Sequence, residues 1–272
     1  MRLTERDYEI LKHLHRHRFL RSDHFASLLP GSRQQLLRRL QLLYHHGYLE
    51  RPRCQIDYYQ SGSRCITYGL GNKGAELLKR QFALPSHRQD WNWKNRVTRF
   101  FLEHALLVSD VMVAVESACR RQPGIKLILL DKPFRWKVNF SGSSKIGVVP
   151  DAVFGLEFIG KQSWFFLEAD RGTMPIQRVN LRQSSFYRKL LAYEATWTQN
   201  IHRTHLDIHR FRVLTVTTNA ARLASMRKTC RSLKRGRGLF FFTDLKTLRE
   251  QPDFFDLHWR TCGDRDAVTL LN

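Results

Sequence analysis

Apolar residues recur every three or four positions in the first part of the chain and every second position in its middle. Tyr8, Leu11 and Leu14 follow Thr4-Glu5-Arg6-Asp7, which has the form of a capping box, and predict a first helix. Arg21-Ser22-Asp23 caps a short second helix, His24 to Leu29, which Pro30-Gly31 stops. Ser32 caps a third, Arg33 to His46, ended by Gly47, with an apolar face of Leu36, Leu37, Leu40, Leu43 and Tyr44. Tyr48–Arg53 and Cys65–Leu70 read as a hairpin around a polar loop containing Ser61-Gly62-Ser63-Arg64, and Gly71-Asn72-Lys73-Gly74 opens another helix through Lys79.

Residues 81–96 break both periodicities and read as a linker between domains at 1–80 and 97–272. A long helix is predicted from Val97 to Cys119, its broad apolar face interrupted by His104 and Asp110. Strands are expected at Ile125–Leu130, Phe134–Val138, Val149–Phe158 and Ser163–Ala169, then a helix from about Pro175 to Thr198. A strand at Phe211–Val216, a helix at Ala220–Leu233, a strand at Leu239–Phe242 and a short terminal helix complete the pattern. This order predicts an α/β domain with a mixed central sheet, and an α+β chain overall.

Two of these strands carry carboxylates among large apolar side chains. Asp151 opens the run Val149–Phe158, while Glu168 and Asp170 close the next, with Gly-Lys-Gln-Ser as the hairpin connection. A carboxylate in such company is costly unless it is paired or binds a cation. Side chains alternate along a strand, so Glu168 and Asp170 share a face, and hairpin pairing brings Asp151 near them. Asp151, Glu168 and Asp170 are therefore candidate ligands for a divalent metal; the alternative is that they are strand-end charges paired with Arg171 and nearby lysines.

Charge points to the partner. The 272 residues carry a formal net charge of +22, an excess of Lys and Arg that favours a polyanion, and nucleic acid is the commonest one. Three short helices followed by a hairpin read as a winged helix-turn-helix. On its third helix Arg33, Gln34, Gln35, Arg38 and Arg39 are side chains suited to base edges, with Arg51, Arg53 and Arg64 placed for phosphates. The five cysteines are scattered without a CxxC pair, which argues against a disulfide framework or structural zinc. With neither a signal-type apolar segment nor an apolar run of membrane-spanning length, a cytoplasmic protein with no membrane partner is expected.

The order helix–strand–strand–strand–helix–strand, with Pro150-Asp151 and Glu168-Ala169-Asp170 at the second and third strands, resembles the PD-(D/E)xK nuclease core. The resemblance implies a restriction-endonuclease-like domain in which Asp151 and Glu168 hold Mg²⁺ or Mn²⁺. The chain departs from that motif at Asp170, which stands where lysine is expected; Arg171, or Lys189 on the next helix, would supply the missing cation. Tyr68–Gly74, His104–Asp110, Pro150-Asp151, Glu168–Thr173 and Lys189–Tyr193, in that order, make most of the chain resemble the replication-relaxation family, which includes the MOBC class of mobilisation relaxases. That implies a site-specific DNA-nicking enzyme of plasmid mobilisation or replication, acting on double- and single-stranded DNA at an origin-of-transfer-like site. Other mobilisation proteins and a homodimer are further candidate partners. His104 is a candidate member of the active site, and Tyr187 and Tyr193 are alternative nucleophiles. The competing functional readings are a non-catalytic DNA-binding accessory factor and a transcription regulator, each with a degenerate nuclease-like domain.

Other patterns point nowhere. His13-Leu14-His15 has the letters of a different relaxase class, but residues two apart on a helix diverge by about 200° and cannot chelate one metal. His202, His205 and His209 stand where a loop gives way to a strand, and read as a solvated or phosphate-facing basic turn. Neither a phosphate-cradling lysine loop nor GxGxxG is present, so the sequence suggests neither nucleotide hydrolysis nor a dinucleotide cofactor.

Overall fold

The capping box predicted at the start of the chain forms: the Thr4 amide and hydroxyl donate to Asp7 Oδ2 at 2.6 and 2.8 Å. The computed structural model describes residues 1–56, 65–82, 90–130, 134–141, 144–262 and 267–271. The polar loop at 61–64, with the candidate phosphate contact Arg64, and residues 83–89 of the predicted linker lie outside the described residues, while Trp91–Lys94 of that linker forms a helical turn. The chain divides into two units, Met1–Val113 and Ala114–Asn272.

In the first unit the elements run α1 (Glu5–His17), β1 (Phe19–Arg21), α2 (Ser22–Leu28), α3 (Arg33–His45), β2 (Leu49–Glu50), β3 (Thr67–Leu70), α4 (Asn72–Phe82), α5 (Trp91–Lys94) and the first part of α6 (Arg99–Arg121). Among the described residues β1, β3 and β2 form an antiparallel sheet in that order, pairing Leu20 with Tyr68 and Leu49 with Leu70. Ile10, Leu14, Phe25, Leu40, Leu43 and Leu78 bury the helices against one another. A Cβ at Gly74 would collide with the Tyr48 carbonyl, so glycine there lets α4 start close to the strand lead-in. The hairpin is shorter than predicted, because Arg53–Gln55 turns as a 3-10 segment. Strand β1 was not anticipated: Phe19 and Leu20 are both buried, so three residues show no alternation.

The second unit contains β4 (Ile125–Leu129), β5 (Trp136–Ser141), β6 (Ser144–Val148), β7 (Ala152–Phe158), β8 (Lys161–Asp170), α7 (Phe186–Thr198), α8 (Ile201–Thr204), β9 (Phe211–Thr217), α9 (Ala220–Arg231), β10 (Phe240–Asp244), α10 (Leu245–Glu250), β11 (Trp259–Thr261) and β12 (Ala267–Val268). Its main sheet among the described residues has the order β12-β11-β10-β9-β8-β7-β4. The pairs β8–β9 and β9–β10 are parallel and the others antiparallel, so the mixed sheet expected from the sequence is present. Phe166, Phe211, Val213, Phe240 and Phe242 pack one face against Leu190 and Tyr193 of α7, Met226 of α9 and the β5–β6 hairpin. By the burial term alone each such side chain contributes roughly 1.5–3 kcal/mol.

Three sequence expectations are corrected here. The helix predicted from Pro175 begins only at Phe186, capped by the Ser185 hydroxyl, which accepts from the Arg188 amide at 3.2 Å. Upstream, the Asn180 side chain accepts from the Arg182 amide at 2.9 Å, a local bond that competes with helix. The β7–β8 connection is the two-residue turn Ile159-Gly160, with φ of 50° and 68°, so Lys161 to Ser163 join the strand. Strands β11 and β12 follow the last helix, and β6 was missed because Lys145 and Gly147 dilute a short alternation.

Candidate active site

Antiparallel pairing sets the first two carboxylates. Ala152 lies opposite Leu167, so Asp151, just before β7, comes level with Glu168. The Asp151 amide donates to the Leu167 carbonyl at 2.9 Å, and its Oδ2 accepts the Ala169 amide at 2.8 Å. These two bonds fasten Asp151 to the backbone on either side of Glu168.

Period-two alternation turns Phe166, Glu168 and Asp170 to the face covered by α7 and α9. Glu168 is buried, with 4% of its surface exposed. Its Oε1 accepts the Tyr193 hydroxyl at 2.5 Å, and its Oε2 holds the ammonium of Lys189. Lys189 and Tyr193 are four residues apart on α7 and therefore share its sheet-facing side. Beneath them the Tyr193 ring stacks on Phe166 with centroids 6.0 Å apart.

Burial pushes the Glu168 carboxyl above the ordinary glutamate value; the Lys189 charge pulls it back and the Asp151 charge pushes it further up. Burial alone would lower Lys189, but the charges of Glu168 and Asp151 outweigh it and hold the ammonium above its usual value. Burial, then the neighbouring Glu168 charge, raises the Tyr193 phenol well above the ordinary tyrosine value. At neutral pH Tyr193 is thus a protonated hydrogen-bond donor to Glu168 rather than a phenolate.

Asp170, expected as a third ligand, has other partners. Its Oδ2 accepts from Arg222 Nε at 2.5 Å, Thr217 Oγ1 at 2.7 Å and the Gly172 amide at 3.2 Å, and its Oδ1 accepts from Arg222 Nη2 at 2.8 Å. Three donors crowd Oδ2 and one meets Oδ1, so most of the carboxylate's capacity is taken within the protein. The Arg222 guanidinium also donates to the Met174 carbonyl at 2.6 Å, tying the chain after β8 to α9. Asp170 therefore serves as a bidentate brace, a role the sequence hides because Arg222 lies 52 residues on. Arg171 follows β8 half-buried, and His104 stands on α6 in the first unit, whereas the carboxylates belong to the second.

Chemically, Asp151 and Glu168 offer the hard oxygen donors that Mg²⁺ and Mn²⁺ take, and such ions complete their shells with water and phosphate oxygens. Each Glu168 oxygen has one hydrogen-bond donor shown, so two carboxylates fit a divalent ion, with Lys189 as the adjoining positive charge.

The first-unit candidates divide as clearly. Arg33, Gln34, Gln35 and Arg38 are exposed along α3. Arg39 instead binds buried Asp7, with Nε to Oδ1 at 2.5 Å, and donates to the Arg2 carbonyl at 2.6 Å. Burial raises the Asp7 carboxyl, but hydrogen bonds from Arg39 and Thr4 outweigh it and hold it below the ordinary aspartate value. Arg51 lies over Tyr44, 4.1 Å from the ring centre, and donates to the Tyr68 hydroxyl at 3.2 Å, while Arg53 is exposed. Arg39 and Arg51 are thus engaged within the protein. On α6, Asp110 is held by Arg21 and His24, the latter at 2.7 Å; the sequence showed Asp110 only as a break in an apolar face. His13 is buried and His15 exposed, so the two lie on different sides of α1.

Fold and site together define a two-unit protein of mixed helix and sheet, with a buried glutamate paired to a half-buried lysine at an inner strand of its main sheet. The replication-relaxation family model matches residues 11–205, most of the chain, and the chain belongs to that family. The matched span includes Asp151, Glu168, Lys189 and Tyr193 and ends before Arg222. No curated protein and no solved structure matches the chain. Family membership associates it with DNA replication and mobilisation, and among the described residues no helix is long and apolar enough to cross a membrane.

Proposed function

We propose that this protein is a DNA-nicking relaxase of the mobilisation type, in which the first unit is a winged helix that selects the site and the second a nuclease-like domain. The observation that carries the reading is the convergence of Asp151, Glu168 and Lys189 at neighbouring strand ends and one helix. Asp151 and Glu168 would hold Mg²⁺ or Mn²⁺, which when bound polarises a scissile phosphate and lowers the pKa of an attacking water. The chain's own residues do the rest. Lys189 brings positive charge to the phosphodiester, replacing the lysine that Asp170 displaces from the motif. Tyr193 fixes the Glu168 carboxylate from below, and the Ala169 amide fixes Asp151. Arg33, Gln34, Gln35 and Arg38 reach the major groove, with Arg53 on a phosphate.

One observation favours a second reading, an accessory DNA-binding factor. Lys189 and Tyr193 already put one donor on each Glu168 oxygen and neutralise its charge, which is how a relic site closes on itself. Calorimetric titration with MnCl₂ separates the two. The nuclease reading expects one saturable site in the wild type that is lost in Asp151→Asn and Glu168→Gln. Heats identical in all three proteins would move the assignment to the accessory factor.

A further inference from the structure

A second feature of this unit lies at the other end of the sheet. Trp197, His202, Arg203, His209, Arg210 and Arg212, with Phe211 and Leu239, line a cavity of about 240 Å³. The cavity sits where α7 ends, α8 turns and β9 begins. Trp197 is 42% exposed, unusual for so large an apolar side chain. Arg203 and Arg210 are exposed; Arg212 alternates to the sheet face opposite Phe211, half-buried over the Phe241 ring at 5.8 Å from its centre, and donates to the Phe211 carbonyl at 3.1 Å. Among the described residues no carboxylate pairs with any of these three guanidinium groups.

We propose that this cavity is a subsite for one nucleotide of single-stranded DNA, with the base stacked on Trp197 and the backbone phosphate held by Arg203 and Arg210. An exposed ring beside guanidinium groups is the pairing that single-strand binders use, a π-face for any base and fixed positive charge for the backbone. Guanidinium is also the side chain that grips phosphate bidentately. Without an anion the cluster repels itself: burial, then the Arg210 charge, lowers Arg212, and burial, then Arg203 and His209, lower His202. His202 is itself buried, with Nδ1 3.3 Å from the Thr196 carbonyl and its ring edge-on to Phe211. It therefore floors the cavity and leaves the arginines to meet the ligand.

The position suits a strand leading to the carboxylate site. Thr215 is paired with Glu168, so Phe211 lies four residues, or about 13 Å, back along β9. From Lys189 to Trp197 is eight residues of α7, about 12 Å. At about 3.4 Å per stacked nucleotide, that separation spans three to four nucleotides. The cavity's case rests on its own lining; only its use, steering the strand toward Glu168, rests on the nicking reading.

The test is fluorescence anisotropy with the full chain, a labelled 12-nucleotide oligothymidylate and a duplex of equal length, in a metal-chelating buffer so that cleavage plays no part. Base stacking worth about 1–3 kcal/mol predicts that Trp197→Ala weakens single-strand binding about 5- to 150-fold and leaves duplex binding unchanged. Arg210→Gln should flatten the salt dependence by about 0.7 in log–log slope, one phosphate's worth for a single strand. Arg203→Lys retains charge and tests the fork geometry at an exposed position; circular dichroism confirms that each variant is folded. Unchanged single-strand affinity in Trp197→Ala and Arg210→Gln, or equal losses for single strand and duplex, would overturn the proposal. Displacement of the oligonucleotide by thymidine 5′-monophosphate at the same nucleotide concentration would also overturn it, by making the occupant a free nucleotide. Nicking that fails while these binding shifts hold would remove the relaxase reading and leave the subsite standing.

Discussion

The Lys189 ammonium sits on Glu168 Oε2, so the cation that the nuclease motif would carry two residues beyond its glutamate arrives instead from α7, 21 residues on. Breaking a buried pair from one side leaves an uncompensated charge, a loss of roughly 3–5 kcal/mol for a fully buried pair. Lys189 is more than a third exposed, so about 2 kcal/mol is the expected loss for Lys189→Met at pH 8. With the ammonium gone, burial keeps Glu168 above its ordinary value of 4.5, and the variant relieves itself by protonating there. The group's raised folded value means its contribution is present at low pH and lost as pH rises through that value. Urea denaturation should therefore show a smaller deficit for Lys189→Met at pH 5 than at pH 8; a deficit independent of pH would argue against a buried, charged Glu168.

Tyr193 is a positioning residue in this account. Its phenol is protonated and donates to Glu168, so Tyr193→Phe should cost about 1.5–3 kcal/mol of stability, the worth of a hydrogen bond to a charged group. Nicking at a temperature where the variant is folded should persist, with its pH profile displaced because Glu168 loses a donor. Complete loss of nicking together with loss of a covalent protein–DNA adduct would instead make Tyr193 the nucleophile.

Neighbours on α3 should behave oppositely. Arg39→Ala strips the partner from buried Asp7 and should destabilise the protein by roughly 3–5 kcal/mol. Arg38→Ala should leave the melting temperature unchanged and weaken duplex binding about 5- to 150-fold, the range for a base contact of about 1–3 kcal/mol. Equal loss of duplex affinity from both at a temperature where both are folded would show that Arg39 reaches DNA after all.

Asp7 also sets an acid limit. Its folded pKa lies below the ordinary aspartate value of 3.8, so the stabilisation it gives is present above that value and is lost as pH falls through the folded one. Acid unfolding followed by circular dichroism should steepen below pH 4 in the wild type. Asp7→Asn should remove that component; an unchanged acid limb would mean the pair with Arg39 contributes nothing.

Local pattern carried much of this into the sequence. Alternation put Glu168 and Asp170 on one face, and the hairpin brought Asp151 beside them, because both relations span fewer than twenty residues. The family resemblance, not spacing, offers Lys189 as the cation, and the sequence presents Tyr193 only as an alternative nucleophile, not as the second partner of Glu168. What the sequence concealed is what the sheet crossover creates. Arg222 reaches Asp170 only because β9 lies parallel to β8 and delivers α9 to the end of that strand. The same holds for Arg39 with Asp7 and for Asp110 with Arg21, where an apparent DNA contact and an interruption of an apolar face are both partners in ion pairs. The histidines near residue 205 gained a meaning only when Trp197, from the preceding helix, joined them around one cavity.

The most direct test of the central claim is nicking of a supercoiled plasmid carrying the protein's cognate origin, in Mg²⁺, by wild type and Asp151→Ala. The account predicts relaxed circles from the wild type only, none from either protein in chelator, and equal duplex affinity for both. Undiminished nicking by Asp151→Ala would contradict it.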